Sequence, residues 1–232
     1  MAITHQISDG PAHAVAHLYL TEGQTVRAEQ GALVAMSPNV ELHADTSEGV
    51  VQLLQEAGKK TRRTQFSNLY TPKNGGGKVI LAPMLPGSIE VLNLEHRTFH
   101  VSSAAFLACS PELELDTEIA NASTFFSASD LFLIGISGTG MLMLGAYGGC
   151  HNLTLQAGES LALDTGHVLA FEAHTRYKLE KAAKSALVSM MTQETLVAVF
   201  EGPGSVLIQT RNPIQLAAGL SPLLEQARKV NA

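Results

Sequence analysis

Cysteine is scarce in this chain. Two in 232 residues, Cys109 and Cys150, cannot make a disulfide framework, and a reducing compartment is the simplest setting for them. Tryptophan is absent and aromatic residues amount to 5%, so a 45% hydrophobic content must build its core from Val, Leu, Ala and Met. No apolar run reaches the roughly 18 residues of a membrane span; Leu131 to Met143 is broken by glycines. An excess of basic charge is also missing. The net charge of −6 argues against strong nonspecific nucleic-acid binding, which depends on neutralising phosphates. The opening M-A-I-T-H-Q-I-S-D-G has no basic region followed by an apolar core, so no secretory signal is expected. These absences predict a soluble cytoplasmic protein without a transmembrane segment.

The motifs that carry chemistry are missing as well. There is no HExxH, no Cys/His cluster and no His-x-His. Gly138 and Gly140 form a G-x-G, but Met143 occupies the third glycine place of the dinucleotide fingerprint. Thr139 replaces the last glycine of a serine elbow around Ser137. Asn74-Gly75-Gly76-Gly77 is a turn without the Gly-Lys-Ser/Thr of a phosphate loop. His13 and His17 are four apart, as are His96 and His100. On strands such pairs share a face at about 13 Å, too far to chelate one metal. No catalytic, cofactor-binding or metal-ligating residue is expected, and no cofactor.

What the sequence does contain is a recurring stretch: Leu20 to His43, Asn93 to Asp116 and Leu155 to Leu179. In the first and third copies, Gly23 and Gly158 open a strand of alternating character. Gly31 and Gly166 end it, as glycines suited to tight turns. An apolar run sized for a buried strand follows, at Ala32 to Met36, Ala104 to Ala108 and Val168 to Phe171. The middle copy lacks the glycines but repeats the ending, Ser110-Pro111 standing where Ser37-Pro38 stand. In the first copy Thr25, Arg27 and Glu29 alternate against Val26 and Ala28, placing Arg27 on the polar face. The pattern predicts an all-β chain of three pseudo-repeats at about 15–45, 78–120 and 130–212, in one domain ending near residue 220.

Helices are expected in two places. Glu48 to Arg63 reads as a helical insertion with Ser47 as a cap. Its end carries Lys59, Lys60, Arg62 and Arg63, which complement the helix dipole and form the one candidate anion or partner patch. The tail from Ser221 to Ala232 reads as a second helix, with Ser221 as cap and Pro222 at the first helical position. Its apolar stripe of Leu223, Leu224 and Ala227 needs a surface to dock on. Leu187 to Met191 reads as a further strand, and Leu196 to Arg211 as a hairpin through a Gly-Pro-Gly turn. Gly202 to Gly204 are structural in this reading.

Several of these pieces together resemble one family. They are the L-x-x-G-[EQ] opening at Leu20, the Gly31 to Met36 run, Pro86-Gly87-Ser88-Ile89, Phe106-Leu107-Ala108 and the stretch from Gly202 to Arg211. In order and spacing they look like the altered-inheritance-of-mitochondria family of mitochondrial biogenesis proteins, in its uncharacterised bacterial branch. The resemblance implies a fold similar to the trp RNA-binding attenuation protein, triplicated as sandwich or double-stranded β-helix-like units. It also implies a ring-like homotrimer.

Three classes of function compete. The first is a noncatalytic oligomeric scaffold or assembly protein, working with copies of itself and with a protein partner not named by the sequence. The second is a module binding RNA or a small ligand, by analogy of fold. A ring that binds RNA would repeat a basic residue in each unit, but Arg27 aligns with His100 and Ala162, while Arg97 and Arg176 fall elsewhere. The third is a metal-dependent β-helix enzyme, for which the histidines are too scattered. The first reading is the expectation.

Overall fold

The computed structural model describes residues 2–45, 67–116, 125–126, 131–180 and 197–230. Short apolar runs, bounded by Gly, Pro and Asn, set its strands. In the first third these are β1 (Thr4–Ser8), β2 (Val15–Leu20), β3 (Val26–Glu29), β4 (Leu33–Met36), β5 (Val40–Ala44), β6 (Ser67–Pro72) and β7 (Gly77–Leu81). Antiparallel pairing makes one sheet in the order β1-β2-β7-β4, while β3 and β5 flank β6 in another. Leu18, Leu20, Val79 and Leu81 from the first sheet meet Val26, Ala28 and Tyr70 from the second in one buried cluster. That interdigitation across two facing sheets is what holds this third together.

The last third follows the same pairing scheme. Its strands are β12 (Cys150–Leu155), β13 (Ser160–Asp164), β14 (Val168–Glu172), β15 (Arg176–Glu180), β16 (Val197–Glu201) and β17 (Gly204–Gln209). Here β12 and β14 flank β17, and β13 and β15 flank β16. Phe171, Phe200 and Val206 centre its core, and Phe125 and Phe126 insert into it from upstream.

The middle third uses fewer, longer strands. β8 (Ile89–Ser102) and β11 (Leu133–Gly145) run against each other along almost their whole length, with β9 (Phe106–Cys109) and β10 (Glu114–Asp116) on β11. Where the outer thirds turn a corner, this one bulges. The register slips between Gly138 and Gly140, opposite His96 at φ 54°. His96 donates its N–H to Thr139 Oγ1 at 3.2 Å. The bulge breaks the alternation that would have put His96 and His100 on one face.

Neighbouring thirds join edge to edge. β9 pairs with β3, and β14 pairs with β8, both antiparallel. The result among the described residues is a ten-stranded sheet flanked by a four-stranded and a three-stranded one.

The pairing corrects several expectations. The seams fall elsewhere than the spans 15–45, 78–120 and 130–212: β7 closes on β2 and β4, and β11 closes on β8 to β10. Leu196 to Arg211 is not a hairpin. β16 and β17 lie in different sheets, and Gly202-Pro203-Gly204 carries the chain round a corner between them. The terminal helix α1 runs Pro213–Val230, so it begins at Pro213 rather than Ser221, and Pro222 sits inside it. Its cap is Asn212, whose Oδ1 accepts from the N–H groups of Ile214 at 2.9 Å and Gln215 at 3.3 Å. Pro213 takes the first helical position, where a missing N–H costs nothing. Leu220, Leu223 and Leu224 on α1 are exposed. The expected helix at 48–63, with Lys59, Lys60, Arg62 and Arg63, and the expected strand at Leu187 to Met191 lie outside the described residues.

Candidate functional site

The polar groups of most consequence gather at the two seams between thirds. At the first seam Arg27 on β3 is 5% exposed and Asp45, just past β5, is 3% exposed. Arg27 Nε donates to Asp45 Oδ2 in a buried ion pair. The same carboxylate oxygen accepts from Ser67 Oγ at 3.0 Å, and Arg27 Nη1 donates to the carbonyl of Leu113 at 2.9 Å. The guanidinium therefore ties β5 and β6 of the first third to the turn after β9 in the second. Alternation placed Arg27 on a polar face, and the structure corrects this: β3 is an interior strand between β6 and β9, and Val26, Arg27 and Ala28 are buried in succession, so both faces are covered.

Cys109 lies beside this cluster, 4.0 Å from Arg27 Nη1. Burial pushes its thiol up to about 12, against the opposing pull of Arg27. Burial also pushes the half-buried Cys150 up to about 12. Neither sulfur carries thiolate near neutral pH, so neither is set up as a nucleophile.

At the second seam His100 on β8 pairs with Phe171 on β14, the imidazole meeting the ring edge-on at 5.1 Å between centroids. Its buried Nδ1 has no hydrogen-bond partner. Burial lowers the His100 pKa from its ordinary 6.5, and the Asp116 charge acts the other way without reversing this. The folded state thus favours neutral imidazole, and the unfolded chain binds the extra proton. Stability attributable to His100 is complete above pH 6.5 and declines as pH falls through and below that value. Melting temperatures of the parent and of His100→Phe, measured across about pH 5 to 8, should diverge on the acid side. The substituted protein should show the shallower decline, and parallel curves would count against this account.

A third polar knot locks the end of the last third to α1. Asp164 accepts from the N–H of Gly166 at 3.0 Å and from Asn212 Nδ2 at 2.9 Å. Gly166 follows a different rule from the one its sequence position suggests. Gly23 and Gly31 have φ of 72° and 92°, but Gly166 lies in a 3₁₀ turn (Thr165–His167) where a Cβ would meet the Asn212 amide at 2.3 Å.

Among the described residues, no group of three or more His, Cys, Asp or Glu could hold a metal ion. His13 and His17 do not converge on one, and His17 Nε2 instead lies 2.9 Å from Ser8 Oγ. Arg97 bridges to Glu172 at 3.4 Å and lies over the Phe99 ring at 5.2 Å. Arg27, His100 and Ala162 do fall at matching places, each six residues ahead of the strand that begins at Leu33, Phe106 or Val168. They make a buried ion pair, a half-buried imidazole and an exposed methyl, not a ring of bases. Sequence reasoning missed Asp45 and Ser67, whose only signal is a lone carboxylate ending the strand L-H-A.

No helix among the described residues is long and apolar enough to cross a membrane, which leaves a strand-built barrel untouched. An uncharacterized protein of Streptococcus pyogenes serotype M6 is 27% identical over 212 residues, spanning 88% of this chain and 84% of that one. The X-ray structure of a Streptococcus pyogenes protein superposes with a TM-score of 0.78 at 25% identity, covering 95% of this chain and 99% of the other. The family model described as mitochondrial biogenesis AIM24 matches residues 5–211, and with the seams and strands it spans the chain belongs to that family.

Proposed function

We propose that this protein is a noncatalytic oligomeric scaffold. Its three thirds are read as copies of one β unit similar to the trp RNA-binding attenuation protein, assembled as a ring-like cytoplasmic homotrimer. The observation that carries this reading is the pairing scheme common to the three thirds, together with lateral docking of each third on the one before. A module that already pairs edge to edge within one chain is suited to do so between chains. The titratable groups at the seams support the noncatalytic part. Arg27 is spent on Asp45, and the two thiols are held protonated.

RNA binding is the lesser reading, because Arg27 is buried and Arg97 is engaged by Glu172. Native mass spectrometry of the untagged protein from its own host tests both. A bare trimer is the expected spectrum. A monomer at micromolar concentration would remove the scaffold reading, and co-purified RNA would reverse the ranking.

A further inference from the structure

Helix α1 leaves the β body through a bonded root and then uncovers its apolar side. At the root Asn212 is buried, its Nδ2 donating to Asp164 and its Oδ1 capping the helix. Gln209 reinforces this corner. Its Nε2 donates to the Gly166 carbonyl at 3.0 Å, and its Oε1 accepts from the N–H of Tyr147 at 2.9 Å. Ile214 and Leu216 in the first turn are half-buried. Beyond them exposure rises, to 45% at Leu220, 61% at Leu223 and 62% at Leu224.

The spacing of these leucines is specific. Leu216, Leu220 and Leu223 follow at steps of four and three, and the sequence keeps that rhythm to Ala227 and Val230. This is the heptad of a helix that packs lengthwise on another helix, knobs entering holes of the same period. Leu224 widens the stripe on one flank, while the exposed Ser221, Pro222 and Gln226 fall off it. An isolated helix of 18 residues is marginal in water. This one also carries Gly219 and Pro222 in its interior, both unfavourable there. Its stability has to come from packing of the apolar stripe, and past Leu216 that stripe is exposed within one molecule.

The chemistry of α1 selects the occupant. A lipid surface favours a helix rich in Lys and Arg on its polar face. Here Glu225 stands against Arg228 and Lys229, with Gln215, Ser221 and Gln226 uncharged. A heptad stripe is matched by a second stripe of the same rhythm, and another α1 carries one by construction. Symmetry sets the direction as well. Identical bonded roots in a cyclic assembly send their helices the same way along the axis. α1 begins past residue 211, where the family match ends, so the contact is separate from pairing among β units.

We propose that α1 pairs in parallel with the α1 of a second copy, Leu220 against Leu220 and Leu223 against Leu223. This rests on the scaffold reading and adds to it a helical contact outside the β body. So short a seam needs a high effective concentration, which copies already joined through their β units supply.

The test uses the full-length chain. In a parallel pair, like heptad residues face each other within disulfide reach, so Leu220→Cys should give a covalent dimer on mild oxidation. Ser221→Cys, one residue round the helix from the stripe, should not. The native thiols, both pushed up to about 12, are the unreactive background. A second variant, Leu220→Asp with Leu223→Asp, changes only exposed side chains, so the β body should keep its melting temperature. Amide exchange across residues 217–230 should quicken about tenfold or more in that variant, with β17 unchanged.

Equal crosslinking of Leu220→Cys and Ser221→Cys would reflect chance collision and overturn the seam. An oligomer by native mass spectrometry with no Leu220 crosslink would remove this contact and leave the scaffold standing. Binding of the parent to phosphatidylglycerol-containing vesicles, lost in the aspartate variant, would reassign the stripe to a lipid surface. A monomer in the native spectrum would remove both the contact and the scaffold.

Discussion

Gly202→Val should cost about 3 kcal/mol or more of stability. For a chain of this length that is a fall in melting temperature of about 6–12 °C. The position has no room for a side chain. A Cβ there would lie 2.1 Å from the carbonyl oxygen of Gln156 and 2.8 Å from that of Leu155. Both obstacles are backbone, so no rotamer change relieves them. The N–H of Gly202 also donates to the carbonyl of Glu159 at 2.9 Å, which pins the corner against the β12–β13 turn. Moving the corner away would break this bond and pull β16 and β17 out of their two sheets together. Thermal unfolding followed by circular dichroism would read the loss. Gly219→Val is the control, since a Cβ at Gly219 has nothing within 4 Å. It should change stability only by the helix-propensity difference, a few tenths of a kcal/mol in favour of valine, and equal losses in the two variants would remove the steric account.

That corner marks the boundary of what the sequence could convey. The alternation after Gly23 and the apolar run from Ala32 to Met36 located β3 and β4 to within a residue or two, because strand periodicity is a local property. The positive φ of Gly23 and Gly158, 72° and 85°, was legible for the same reason. What Gly202-Pro203-Gly204 joins was not legible. A tight turn between two strands reads as a hairpin unless one knows that β16 is already held on both sides by β13 and β15. The fused strands of the middle third did leave a trace. Leu94-Glu95-His96 lacks the glycine found at Gly23 and Gly158, and there the chain bulges where its counterparts turn. The absence was visible, but its meaning needed the partner strand β11.

The terminal helix shows a competing local signal. Both Asn212-Pro213 and Ser221-Pro222 pair a capping residue with proline. Only Asn212 is also held by Asp164 at 2.9 Å, and that contact across 48 residues selects the earlier start. The seams were legible in one respect: the spacing that aligned Arg27 with His100 and Ala162 coincides with their places in the ladders. Their roles were not, because each depends on what lies across the seam. Arg27 meets a carboxylate 18 residues on, His100 meets a ring, and Ala162 has β16 as its one strand neighbour among the described residues.

Arg27→Ala should be the most damaging change at the first seam, at about 3–5 kcal/mol. The cost does not measure the worth of the ion pair, since two buried charges gain little net energy over a packed apolar pair. It arises because the substitution withdraws the Arg27 guanidinium from Asp45, a carboxylate only 3% exposed. It also leaves the Leu113 carbonyl without the donor now at 2.9 Å. Two further variants separate these causes. Arg27→Ala with Asp45→Asn also removes the buried carboxylate charge and should recover part of the loss. Arg27→Met with Asp45→Leu replaces the pair by apolar volume and should recover more, while Ser67 Oγ loses its acceptor in Asp45. Chemical denaturation of the three proteins would give the ordering directly, with the single variant least stable. If Arg27→Ala were as stable as the parent, the first seam would be held by the β3–β9 ladder and its apolar flank alone. The ion pair would then be a passenger.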